Sequence, residues 1–192
     1  MIQTTTEYIG RLINGIPCYV YGGLVSVFCI CMVVSIGLCG WEKGVKKALA
    51  ALYVEYILFV YCSTVIYRSV SDVTGFDLTP FRTYTLYKSG SDFFLSEAIM
   101  NVVVFFPIGF LGSYVFRSWQ WWKVWLLGVA FSVSIETLQF CFQRGFCEID
   151  DVMANSLGCL TGVGIAQCLS KMYVQRMCDS DNGDNNKYTR RN

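Results

Sequence analysis

Apolar residues along this chain gather in long unbroken runs rather than in amphipathic stripes or alternating strand patterns. Five runs stand out: Cys18 to Gly40, Ala48 to Tyr67, Glu97 to Phe116, Val124 to Phe142, and Val152 to Tyr173. Each is about 20 residues long, the length an α-helix needs to cross the hydrocarbon core of a bilayer. The pattern predicts an all-α, polytopic helical membrane protein with about five transmembrane helices. Pro107 and Gly109 interrupt the third run, which is tolerated in a membrane where neighbouring helices satisfy the freed backbone groups. Residues 1–17 are mixed polar and lead into the first run without a small-x-small cleavage site, so no cleaved signal peptide is expected.

Between the runs lie polar segments. The expected organisation is an extracytoplasmic segment at 1–17, two N-terminal spans within 18–67, an extracytoplasmic loop at 68–96, a three-helix core at 97–173 and a polar, disordered tail at 174–192. With five spans, Lys43, Lys46, Lys47, Arg117, Lys123, Lys171, Arg176, Lys187, Arg190 and Arg191 share one side. Arg11, Arg68, Arg82, Lys88 and Arg144 share the other. Ten cations against five place the first side in the cytoplasm, with the N-terminus out and the C-terminus in. All five Trp residues (41, 119, 121, 122 and 125) then fall at the cytoplasmic interface, as an aromatic belt does.

Composition agrees with this class. The chain is 54% hydrophobic and 15% charged, where a soluble domain carries about 25% charged residues. A net charge of +1 without a basic stripe gives no reason to expect a nucleic-acid partner. Ten Cys and no His rule out the usual zinc spacings, and most Cys lie inside apolar runs, where they act as small hydrophobes. Cys18 and Cys147 are the two that face the oxidising side together, and sequence does not pair them.

The candidate chemistry sits where polar groups enter the fourth and fifth runs. Ser132, Glu136, Gln139 and Gln143 fall on one helical face. Asp151 and Asn155 are one turn apart and open the fifth run, which continues into Gly158 and Gly162, a GxxxG that lets another helix approach closely. Helical rise puts Glu136 roughly 9 Å below the outer end of its span, with Asn101 and Asn155 slightly shallower. These residues predict a polar pocket among the last three helices, opening outward, with Gln139, Arg144, Asp150 and Asp151 around it. An ionisable group in a span is a functional candidate by default. The competing reading is a satisfied buried network that serves assembly alone. Glu55 lies near the opposite face and is left out of the site.

Four blocks carry a family resemblance. "FDLTPF" (Phe76 to Phe81), "NVVVFFPIGFLGSY" (Asn101 to Tyr114), "SVSIETLQ" (Ser132 to Gln139) and "RGFCEIDDVMANSLGCLTG" (Arg144 to Gly162) resemble, in order, the motifs of the VanZ-like family of bacterial membrane proteins. Glu148 stands where the family usually has Asp, and the loop after Arg144 is one residue longer. The resemblance implies the bacterial cytoplasmic membrane and an association with glycopeptide resistance, chiefly to teicoplanin. It marks Asn101, Pro107, Gly109, Glu136, Gln139, Arg144, Asp150, Asp151, Asn155 and Gly158.

Two functions follow as expectations. A non-enzymatic resistance or envelope factor would use the pocket to engage a membrane lipid, a lipid-linked cell-wall precursor or a glycopeptide antibiotic, with Arg144 and Arg82 meeting phosphate or carboxylate and Glu148 and the other acidic groups orienting hydroxyls or amines. The alternative is an intramembrane enzyme on a lipid-linked substrate, with Glu136, Asp150 and Asp151 as acid/base or Mg-binding groups. Nothing in the sequence calls for a cofactor or a resident metal. The absence of an internal repeat argues against a monomeric transporter, and the GxxxG face suits a homo-oligomer equally well.

Overall fold

The computed structural model describes Ser26, Cys29, residues 41–90 and residues 92–189, as backbone alone at 41, 42, 92 and 177–189. The expected first span, Cys18 to Gly40, lies outside these residues apart from Ser26 and Cys29, both helical. Four helices are long and apolar enough to cross a membrane: Lys43–Ile66, Phe93–Val115, Trp121–Cys141 and Ile149–Arg176. The protein is an all-α membrane protein.

In chain order the elements are α1 (Trp41–Tyr61), a π-helical turn (Cys62–Ile66), β1 (Gly75–Asp77), α2 (Arg82–Lys88), α3 (Asp92–Val115), α4 (Trp121–Cys141), β2 (Phe146–Glu148) and α5 (Ile149–Thr189). Three features differ from the sequence reading. Helix α3 starts several residues before Glu97 and α5 before Val152, because apolar content marks the buried length of a helix rather than its hydrogen-bonded length. Residues 68–96 are not a plain loop but hold β1 and α2. Helix α5 also continues to Thr189, over the stretch read as structureless, since adding turns to an existing helix requires no new nucleus.

Helices α3 and α5 form the most extensive pairing in the bundle, and small residues permit it. A Cβ on Gly158 would run into the Val102 carbonyl, one on Gly162 into the Phe106 carbonyl, and one on Gly109 into the Cys159 carbonyl. Backbone therefore packs on backbone, the geometry that small-xxx-small spacing allows. Gly128 of α4 makes room for the Cys159 side chain in the same way. Pro107 lies inside α3, and the Tyr56 hydroxyl of α1 donates to the Val104 carbonyl (2.8 Å) in the turn that the ring disturbs. Tyr53, Val60, Val65, Phe105, Ile108 and Ile135 form the main apolar core among α1, α3 and α4.

The exposed tryptophans and the acidic groups of the last three helices lie at opposite ends of the bundle. Exposed Trp119, Trp121 and Trp122, with Arg117 and Lys123, surround the α3–α4 turn. The acidic groups collect at the other end, where α1 ends, α3 begins, and α4 turns into α5.

The α3–α5 contact makes a direct prediction. Gly158→Val forces a side chain against main-chain atoms that have no rotamer to escape into, and should destabilise the protein by about 3 kcal/mol or more. Gly164→Ala, where an added methyl meets nothing within 4 Å, should leave stability unchanged or slightly raised. Thermal unfolding of the two variants in detergent checks this, and equal melting temperatures would refute the close crossing.

Candidate functional site

The acidic end is built around a sharp reversal between α4 and α5. Helix α4 closes in a Schellman turn: the Arg144 N–H donates to the Gln139 carbonyl (2.7 Å) and the Gln143 N–H to the Phe140 carbonyl (3.1 Å). Gln143 takes the left-handed conformation that this motif requires (φ 55°), and Gly145 follows at φ 137°, open to glycine alone. The chain then runs through β2 directly into α5. The result brings Glu148, Asp150 and Asp151 back over the end of α4 that carries Glu136.

A second segment clamps the reversal. Strands β1 and β2 pair in parallel, with Gly75 opposite Phe146, Phe76 opposite Cys147 and Asp77 opposite Glu148. The Ser71 N–H donates to the Gln143 carbonyl (2.8 Å). The Arg144 guanidinium donates to the Arg68 carbonyl, and Arg82 forms an ion pair with Asp77. Asp150 accepts the N–H of Phe81 (2.7 Å) on one oxygen and of Thr83 (2.8 Å) on the other, capping the start of α2. Two of the resembling blocks, far apart in sequence, thus form one lid.

Beneath the lid is a knot of polar side chains from three helices. Glu136 is 3% exposed, and its Oε2 accepts the Glu148 N–H (3.1 Å). Asn155, one turn after Asp151, donates through Nδ2 to Ser132 Oγ (2.9 Å), one turn before Glu136. Asn101 of α3 donates through Nδ2 to Asp151 Oδ1 (2.8 Å). Gln139 donates through Nε2 to the Thr64 carbonyl (3.0 Å), which the π-helical turn at the end of α1 leaves available. Gln139 and Asn155 are also buried, whereas Asn101, Asp151 and Glu148 are half-buried above them.

The polar and charged residues predicted from sequence fall at this end of the bundle, in distinct parts. Asn101, Glu136, Gln139, Asp151 and Asn155 meet in the knot, with Glu148 on its rim. Arg144, Arg82 and Asp150 sit in the lid, engaged by protein groups. Pro107, Gly109, Gly158 and Gly162 lie below, in the helix crossing. Two charged residues were missed as site members. Arg68 lies within electrostatic reach of Glu136, Glu148 and Asp151, as does Glu97. Their positions supply the signal that was there to read: one ends the second span and the other opens the third, at the same depth as the knot.

Burial, then the nearby Glu97, raises the pKa of Glu148 above the usual carboxylate range, with Arg82 and Arg68 opposing. Cys147 carries a free thiol; its candidate partner Cys18 lies outside the described residues. Burial, followed by Glu136, raises the Cys147 pKa. Two grooves stand out among the described residues. One of ≈ 170 Å³ lies beside the lid, lined by Phe81, Tyr84, Tyr87, Leu95, Asp150 and Met153 among others. One of ≈ 250 Å³ lies at the Trp-bearing end, between Arg117 and Lys171. Among the described residues no three His, Cys, Asp or Glu side chains stand close enough to hold a metal ion.

A multi-pass helical protein whose polar residues converge under such a lid can be compared with known sequences. The chain belongs to the VanZ/LLP1 family, whose sequence model matches residues 48–170. Protein VanZ of Enterococcus faecium is 25% identical over 141 residues, covering 71% of this chain and 83% of that protein. No solved structure matches the chain.

The Cys147 thiol reports on the knot. In a variant keeping Cys147 as its single cysteine, N-ethylmaleimide should react more slowly at neutral pH than with a free thiol, because a raised pKa lowers the thiolate fraction. Glu136→Gln removes a negative neighbour and should speed the reaction at fixed pH. A rate indifferent to Glu136 would separate the lid from the knot.

Proposed function

We propose that this protein contributes to glycopeptide resistance, chiefly to teicoplanin, or to homeostasis of the cell envelope, by binding the headgroup of a membrane lipid, a lipid-linked precursor or the antibiotic at the knot. In this reading it spans the bacterial cytoplasmic membrane with the N-terminus and the lid outside and the Trp-bearing end and C-terminus inside. Membership of the VanZ/LLP1 family supports the link to resistance. The observation that carries the reading is convergence: three of the blocks resembling the family contribute their polar residues to one buried network, and the fourth covers it. In the orientation proposed here the network faces the compartment in which envelope precursors are processed, a placement that assembly alone does not call for.

Binding suits the geometry better than the enzymatic alternative. Of the acid/base candidates, Asp150 has both oxygens engaged by backbone N–H groups at the start of α2, those of Phe81 and Thr83. Arg144 likewise points into the fold, so recognition by an arginine fork would fall to Arg68 rather than to Arg144.

Expression in a sensitive Gram-positive host tests the proposal. Wild type should protect selectively against teicoplanin over vancomycin, and Glu136→Gln at equal membrane levels should abolish the protection. Glu55→Gln should keep it, because Glu55 lies roughly 13 Å of helical rise below Thr64 at the edge of the knot. Protection by wild type and Glu136→Gln alike would reduce the knot to a structural role. No protection by the wild type would contradict the resistance reading.

A further inference from the structure

The knot has an imbalance in its hydrogen-bonding groups. Each of its amide nitrogens already has an acceptor: Asn101 Nδ2 on Asp151, Asn155 Nδ2 on Ser132 and Gln139 Nε2 on Thr64, with the Glu148 N–H on Glu136. The Arg144 and Arg82 guanidinium groups, which sequence suggests for an anionic ligand, bond to the Arg68 carbonyl and to Asp77. The buried Arg144 Nε without a partner belongs to the α4–β2 reversal in the lid.

Its acceptors are in surplus. Asn155 is 4% exposed and Gln139 is 3% exposed, yet Asn155 Oδ1 and Gln139 Oε1 have no hydrogen-bond partner among the described residues. Buried amide oxygens of this kind ordinarily find a donor. Asn155 is held between α4 and α5 by its contact with Ser132 and stands one turn after Asp151. Glu136 and Asp151 each commit one oxygen to the fold and have a second. Charge runs the same way: Glu97, Glu136, Glu148 and Asp151 interact with one another, and among the described residues the guanidinium groups that oppose them are Arg68 and, at Glu148, Arg82, which is already paired with Asp77.

A site with surplus acceptors and excess negative charge selects a ligand rich in donors and positively charged. We propose that the knot binds a primary ammonium group, with Glu136, Asp151 and the Asn155 carbonyl oxygen accepting its three N–H bonds. The inference rests on the headgroup reading above and narrows it. A phosphate or carboxylate would meet acceptors and carboxylates here, while a quaternary ammonium would bring charge without donors. The ammonium belongs either to a membrane amphiphile or to a soluble amine.

Native mass spectrometry of the full chain, delipidated in detergent, tests this with three lipids of matched acyl chains. Phosphatidylethanolamine carries the ammonium, phosphatidylcholine keeps the charge without N–H donors, and N-acetyl phosphatidylethanolamine lacks the charge. Phosphatidylethanolamine should bind about tenfold more tightly than the other two, the scale of one charge-assisted hydrogen bond. The isosteric variants Glu136→Gln and Asp151→Asn should each erase that preference. Displacement by millimolar ethanolamine would support the ammonium and assign it to soluble amines, whereas resistance to it would assign the amphiphile. Displacement by MgCl₂ alone, dependent on Glu136, would overturn the inference in favour of a divalent cation. Equal binding of all three lipids would also overturn it. If that equal binding still fell in Glu136→Gln, the headgroup reading would stand without the ammonium; if it did not, both would fail.

Discussion

A carboxyl group inside a transmembrane bundle must be given a polar partner, and at Glu136 that partner is the Glu148 N–H. An acidic residue within a span costs about 2.5–3.5 kcal/mol to insert, and the chain reversal returns one backbone donor to it. The α4–α5 reversal is sharp because only a sharp turn returns Glu148 to the level of Glu136 within a dozen residues. Gly145 and the left-handed Gln143 make that turn sterically available. From this single contact follow the position of β2, its pairing with β1 and the placement of Asp150 against α2.

The same constraint explains the rest of the bundle. A knot formed by α3, α4 and α5 requires the three helices to approach within reach of short side chains such as Asn101, Ser132 and Asn155. Gly109, Gly158 and Gly162 bring α3 onto α5 at backbone contact, and Gly128 admits Cys159 between α4 and α5. Close packing below the knot thus sets the spacing within it. The segment from Arg68 to Asp77 closes the top, so that the deepest groups are buried while Asn101, Asp151 and Glu148 remain half-exposed at the rim.

Much of this was legible in the sequence, and the remainder was not for definable reasons. Span lengths revealed four of the helices described. Helical spacing put Ser132, Glu136, Gln139 and Gln143 on one face; the first three lie buried there, while Gln143 falls past the end of α4, exposed in its closing turn. The GxxxG at Gly158 predicted a close crossing without naming its partner, since periodicity identifies a face but not what covers it. The roles of the arginines were harder to read. Arg144 looked ligand-facing by charge, yet its guanidinium bonds a carbonyl of Arg68, a contact across 76 residues that no local pattern encodes. Arg68 and Glu97 looked like span ends and turned out to border the knot. The short β1–β2 pairing escaped notice because three-residue strands leave almost no periodic signal.

The proposed site is thus a buried polar network whose top is closed by a segment from the other half of the chain. The account depends most directly on the Glu136–Glu148 contact. Hydrogen–deuterium exchange at the Glu148 amide, followed by mass spectrometry of peptides spanning residues 144–149, compares wild type with Glu136→Ala. The account predicts slow exchange in the wild type and markedly faster exchange in the variant, with the middle of α4 unchanged. Equal protection of that amide in both proteins would contradict it.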